Sequence, residues 1–66
     1  MIVLFDRVRL KTDRYAAEGA TLGALGYVIE IHPDGALEIE ISASDGTTTA
    51  LFVAQRDDVE LAPERE

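Results

Sequence analysis

Tyr27-Val28-Ile29-Glu30-Ile31-His32-Pro33-Asp34-Gly35-Ala36-Leu37-Glu38-Ile39-Glu40-Ile41 is the stretch that settles the architecture. Its first half is β-branched and aromatic. Its second half alternates strictly, with Leu37, Ile39 and Ile41 on one face and Glu38 and Glu40 on the other, as a half-buried strand requires. Between the halves, His32-Pro33-Asp34-Gly35 has the chemistry of a tight turn. Proline presets φ, Asp bonds to the nearby backbone, and Gly accepts φ > 0. The stretch is a β-hairpin with one apolar face.

On its C-terminal side, Ser44-Asp45-Gly46 is a second turn and Thr47 to Ala54 a further strand, so three strands form an antiparallel meander. Gln55-Arg56-Asp57-Asp58 interrupts the pattern, and Val59-Glu60-Leu61 is long enough for one last short strand. On its N-terminal side, Lys11 to Gly26 is a long loop of small residues, in which Ala16-Ala17-Glu18 forms at most one helical turn before Gly19. Ahead of it, Val3 to Leu10 is a strand whose Val8 and Leu10 alternate with Arg7 and Arg9. A three-stranded meander with one hydrophobic face needs a cover, and only the first and last strands can supply it. The expected fold is all-β: a small five-stranded antiparallel SH3-like barrel, one domain over residues 1–62, with a charged tail over 63–66. An OB-like barrel is the alternative, but it calls for a helix that this pattern lacks. The core expected from the alternation is Val8, Leu10, Ile29, Ile31, Leu37, Ile39, Ile41, Leu51 and Leu61, with Phe5 and Phe52 also inward.

Composition sets further bounds. The chain has 66 residues, no cysteine and a net charge of −7. A chain of this length buries only about 60% of the surface that its unfolded form exposes, which leaves no material for a deep cleft. Without cysteine there is neither a disulfide framework nor a thiolate zinc site. No apolar run approaches the roughly 20 residues that span a bilayer, and Met1 to Phe5 lacks the features of a signal peptide, so no membrane association and a cytoplasmic location are expected. Charge is uneven: residues 1–14 are net basic and the rest strongly acidic. Such a field attracts basic surfaces and repels phosphate backbones.

The order Asp6-x-Val8-x-Leu10, Leu22-Gly23-x-x-Gly26-x-Val28-x-Glu30, Pro33-Asp34-Gly35, Glu38-x-Glu40-Ile41, Asp45-Gly46 and Ala50-Leu51 resembles the bacterial domain-of-unknown-function family 4926. The resemblance runs from Asp6 to Leu61. It implies an SH3-like fold with no established activity, in small stand-alone proteins, some of which look like partners of toxin-type neighbours. The resemblance therefore hints at an antitoxin or immunity role. Asp13-Arg14-Tyr15-Ala16-Ala17 departs from the pattern by lacking a proline in the first loop.

No catalytic, cofactor-binding or metal site is expected. His32, the sole histidine, stands at a turn and reads as a solvated strand end. Glu38 and Glu40 lie on the outer face of a strand, where neither is tuned for proton transfer. Asp57, Asp58 and Glu60 offer a divalent ion no more than a weak surface cluster. Four aromatic residues without tryptophan do not line a proline-peptide groove. Two binding surfaces remain. An acidic surface of Glu30, Glu38, Glu40, Asp57, Asp58 and Glu60, with Tyr27 as an anchor at the rim of the core face, suits a protein with a basic surface, such as one encoded nearby. The alternative is a nucleic-acid patch of Arg7, Arg9, Lys11 and Arg14 with Tyr15 to stack on a base. Against it, these cations also suit pairing with neighbouring strand carboxylates. Homo-oligomerisation through the apolar strand Ile2 to Phe5 is a further expectation, since an unpaired apolar edge is adhesive.

Overall fold

The computed structural model describes residues 1–63. They form one antiparallel sheet of five strands: β1 (Arg7–Leu10), β2 (Leu25–Ile31), β3 (Leu37–Ser42), β4 (Thr48–Ala54) and β5 (Val59–Leu61). The spatial order is β4-β3-β2-β1-β5. The chain is thus all-β, as the alternation predicts. Strands β4 and β5 do not pair with each other, so the expected barrel is open along that seam. Among the described residues, helical structure is limited to two 3₁₀ turns, Ala16–Glu18 and Arg56–Asp58. They fall where Gly19 ends a helical turn and where the charged Gln55–Asp58 segment interrupts the strands. Of the expected tail over 63–66, only Pro63 lies within the described residues.

Both hairpins close with the same device. Gly35 N–H donates to the His32 carbonyl at 2.9 Å and His32 N–H to the Ala36 carbonyl at 2.9 Å. Asp34 Oδ1 accepts the Ala36 N–H at 2.9 Å. The second turn repeats this with Gly46, Ala43 and Thr47, and Asp45 Oδ1 accepts the Thr47 N–H at 2.9 Å. Gly35 and Gly46 have φ of 92° and 89°, which L side chains rarely adopt. Each loop is a tight turn followed by a left-handed glycine, the arrangement that returns a strand with the right twist.

Strand β2 serves two partners. Leu25 to Tyr27 pair with β1, and Tyr27 to Ile31 pair with β3. At Gly26 β2 lies close against β3: a Cβ there would lie 2.8 Å from the Glu40 carbonyl oxygen and 2.8 Å from Ile39 Cγ2. Only glycine allows that approach.

The concave side holds the core: Val8, Leu10, Ala20, Val28, Leu37, Ile39, Ala50, Phe52, Ala54 and Val59, with Ile2, Tyr15, Ala24 and Ile41 packed against it. Val8, Leu10, Leu37, Ile39 and Phe52 are where the alternation puts them. Four other expected core residues are not. Ile29 is exposed because a β-bulge sits between Val28 and Glu30, and the extra residue shifts the inward position to Val28. Leu51 is 52% exposed because β4 turns Ala50, Phe52 and Ala54 inward instead. Ile31 and Leu61 lie at the end of β2 and on the outermost strand β5, and both stay partly exposed.

The N-terminal segment also differs from its reading. Val3 to Asp6 is a turn, not part of a strand: Asp6 N–H donates to the Val3 carbonyl at 3.1 Å, and Asp6 Oδ2 accepts the Val3 N–H at 2.8 Å. Phe5 has φ of 71° and is 69% exposed, so it is not a core residue. Its N–H donates to the Val28 carbonyl at 2.7 Å, which ties the turn to β2. Ile2 packs on the core, and the strand edge expected over Ile2 to Phe5 is not formed.

Candidate functional site

Residues opposite one another in an antiparallel ladder share a face. The convex face of the meander therefore carries two rows. One runs Arg7, Tyr27, Glu40, Leu51 and the other Glu30, Glu38, Val53. The bulged Ile29 adds to this surface. Its apolar members are well exposed: Tyr27 42%, Ile29 37%, Leu51 52% and Val53 47%. Four large apolar side chains interleaved with three carboxylates make an exposed surface that is both apolar and acidic.

The carboxylates have distinct surroundings. Thr48 Oγ1 donates to Glu40 Oε2 at 2.7 Å, which draws that carboxylate toward β4. His32 Nε2 meets Glu38 Oε1 at 3.1 Å, with the proton's place set by the tautomer. Glu30 stands directly opposite Glu38, a like-charge pairing that disfavours the sheet. Among the described residues, no lysine or arginine forms an ion pair with Glu30, Glu38 or Glu40.

The remaining acidic residues are not part of this face. Asp58 is a structural group: its Oδ2 accepts from Arg14 Nη1 at 2.9 Å and from the Tyr15 hydroxyl at 2.6 Å, and its side chain is only 12% exposed. Asp57 borders a shallow depression of about 280 Å³ with Asp34, Gly35, Gln55 and Arg56. Glu60 sits opposite Arg9 in the β1–β5 ladder, with Nη1 to Oε2 at 3.5 Å. The seven expected contact residues thus divide. Tyr27, Glu30, Glu38 and Glu40 lie together, while Asp57, Asp58 and Glu60 lie elsewhere. Tyr27 belongs to the convex face itself, not to the rim of the core.

The basic residues are engaged by nearby groups. Arg7 Nη1 donates to the Pro63 carbonyl, Arg9 meets Glu60, and Arg14 meets Asp58, while Lys11 is exposed just beyond β1. Tyr15 is not placed to stack on a base. Its hydroxyl also accepts the Gln55 N–H at 2.9 Å, and its ring packs on Phe52 with centroids 5.2 Å apart. Among the described residues, no three His, Cys, Asp or Glu side chains are grouped to hold a metal ion. Among the described residues, no helix is long and apolar enough to cross a membrane.

Ile29, Leu51 and Val53 are the site residues that the alternation misplaces or passes over. For Leu51 and Val53 a signal exists. Ala50, Phe52 and Ala54 form an equally regular alternation of small and large side chains, which fits between Leu37, Ile39 and Ile41 better than two further branched residues would. For Ile29 no local signal distinguishes the bulge.

One family model, described as Domain of unknown function (DUF4926), matches residues 4–61, most of the chain. No curated protein and no solved structure matches.

Proposed function

The chain belongs to the DUF4926 family, and we propose that it serves as a non-enzymatic protein-recognition module that docks a basic protein through the convex face of β2, β3 and β4. An antitoxin, immunity or accessory role fits such a module. The observation that carries this reading is the exposure of Ile29, Leu51 and Val53 beside Glu30, Glu38 and Glu40. Apolar side chains supply the area that holds a complex, and carboxylates that no described lysine or arginine pairs select a cationic partner. The opposed pair Glu30 and Glu38 costs stability in the free protein, and a lysine or arginine brought between them relieves that cost. A net charge of −7 adds long-range attraction that speeds encounter.

Nucleic-acid binding has less support, because Arg9 and Arg14 already meet Glu60 and Asp58.

The test is surface plasmon resonance of the immobilised protein against the products of its flanking genes at low and physiological salt. The expected result is binding to a basic product, with an association rate that falls as salt screens the attraction. The double variant Glu38→Lys/Glu40→Lys should slow or weaken association while its circular dichroism stays unchanged. Tight, salt-sensitive binding to mixed oligonucleotides that disappears in Arg7→Ala/Arg9→Ala would overturn this reading.

A further inference from the structure

Strand β4 ends the sheet, and the direction of its main-chain groups follows from the two hairpins. Along β3, successive residues turn their N–H and C=O groups alternately toward β2 and β4. The Ala36 carbonyl accepts from His32, on the β2 side, and the Ala43 N–H donates to Thr47, on the β4 side. Leu37, Ile39 and Ile41 therefore address β4, where their partners are Ala54, Phe52 and Ala50. Leu51 and Val53 lie between those partners and turn their N–H and C=O groups outward, where no further strand of the described residues follows. Gln55, next in the same series, fits this parity: its N–H is taken from outside β3 by the Tyr15 hydroxyl.

Edge strands are commonly blunted by lysine, proline or an inward charge. Thr48-Thr49-Ala50-Leu51-Phe52-Val53-Ala54 has none of these. A register shift between its pairings with Ile41 and Ser42 disturbs one end, where Gly19 also lies against the Thr49 carbonyl and Ala50, and Tyr15 closes the other at Gln55. What is left is a short, uncharged run whose outward main-chain groups are bonded to no described residue. Its convex face bears Leu51 and Val53, with Glu40 and Glu38 beside them on β3.

Charge decides what fits there. A strand added to β4 would lie about 4.8 Å from it, with alternate side chains next to Leu51 and Val53. A lysine or arginine at those positions can lay its stem over the two apolar side chains and bring its charge to Glu40, whose carboxylate already leans toward β4 at Thr48. A second copy of this chain fits poorly, because each copy carries −7 and β4-to-β4 pairing would bring both acidic faces together. We propose that the free edge of β4 takes up an extended basic segment of the partner protein as an added strand. Leu51 and Val53 hold it through their main-chain groups, and Glu38 and Glu40 select lysine or arginine at alternate positions. The proposal rests on the acidic-face reading above and supplies its docking mode.

The probe is an end-blocked eight-residue peptide of alternating lysine and valine, titrated into the whole protein and followed by amide shifts and affinity. Two twins accompany it, one N-methylated on its lysine amides and one on its valine amides. In an antiparallel addition, lysines that face Leu51 and Val53 also send their N–H groups to them. Lysine N-methylation should then weaken binding by at least about tenfold, and valine N-methylation should be tolerated. The variant Val53→Pro should lose the same factor while keeping its fold, because proline is accepted at an edge position whose N–H faces away from the sheet. The amides of Leu51 and Val53 should shift most.

Equal binding by all three peptides, lost only in Glu38→Lys/Glu40→Lys, overturns strand addition and leaves the acidic-face reading standing. Binding lost in Val53→Pro but indifferent to the glutamate reversals overturns the basic selectivity, and with it that reading. No binding by any of the peptides overturns strand addition. A dimer in sedimentation that Val53→Pro abolishes overturns the proposal too, since the occupant is then a second copy.

Discussion

The hydroxyl of Tyr15 joins three separate parts of the chain, which makes its removal the most informative single perturbation of the fold. It donates to Asp58 Oδ2 at 2.6 Å, ahead of β5, and accepts the Gln55 N–H at 2.9 Å, at the end of β4. Arg14 reaches the same Asp58 oxygen at 2.9 Å. Tyr15→Phe keeps the ring on Phe52 and deletes both hydroxyl bonds. A bond to a carboxylate contributes about 1.5–3 kcal/mol, and the half-buried setting places this one toward the lower end. The exposed Gln55 N–H can turn to water, so its loss adds little. A net cost of about 2 kcal/mol follows. For a domain of this size, each kcal/mol moves the midpoint by roughly 4–8 °C, so Tm should fall by about 10 °C.

The same bond sets a pH dependence. Burial, and then the hydrogen bond donated to Asp58, push the Tyr15 hydroxyl above its ordinary value of 10.0. The fold therefore favours the neutral phenol. That contribution is complete below the unfolded value and is lost as pH rises through the higher folded one. The stability gap between the parent and Tyr15→Phe should be constant from neutrality to about pH 9 and narrow above about pH 10. Tyr27 is present in both proteins and cancels. Thermal and urea unfolding by circular dichroism across this range gives the result. A variant that melts within about 2 °C of the parent, or a gap that stays open at high pH, refutes the role assigned to this hydroxyl.

Four further perturbations test the frame. Ile39→Ala empties a site that is 1% exposed at the centre of the core and should cost about 2–5 kcal/mol in urea unfolding, enough to unfold much of so small a domain. Gly26→Ala puts a methyl 2.8 Å from the Glu40 carbonyl oxygen, so backbone must shift, and a loss of about 1–3 kcal/mol is expected from the same assay. Gly35→Val meets open space but has to adopt φ of 92°; its Tm should drop by an amount matching about 1–3 kcal/mol of backbone strain. Deletion of Ile29 removes the bulge while leaving Val28 inward and Glu30 opposite Glu38, so the protein should still fold, as judged by its amide spectrum, but bind its partner more weakly.

The strands themselves were legible because their punctuation is chemical. Asp34-Gly35 and Asp45-Gly46 can do little other than close hairpins, and the charged residues around Asp57 cannot continue an apolar strand. Those signals place β2, β3, β4 and β5 to within one or two residues. Met1 to Phe5 deceived because apolar β-branched residues read as a strand wherever they occur. Asp6, whose side chain captures the Val3 N–H, makes a turn of them instead. Nothing local in the sequence shows that capture, since it depends on Phe5 accepting φ of 71° while its N–H is held by Val28.

The site was half legible, and the missing half has two physical causes. Glu38 and Glu40 face outward because β3 alternates without interruption, and a strict period of two leaves one solution. In β4 both parities are apolar, so the period alone does not choose between them, and in β2 the more apolar parity is exposed. Packing chooses. The bulge between Val28 and Glu30 turns Ile29 outward, and β4 sets Ala50 and Ala54 around an inward Phe52. The surplus apolar residues, Ile29, Leu51 and Val53, are thereby left on the acidic side. A thin core with small residues at its margin thus makes a face that is both sticky and charged, and the residues that a count of hydrophobic positions assigns to stability become available for recognition.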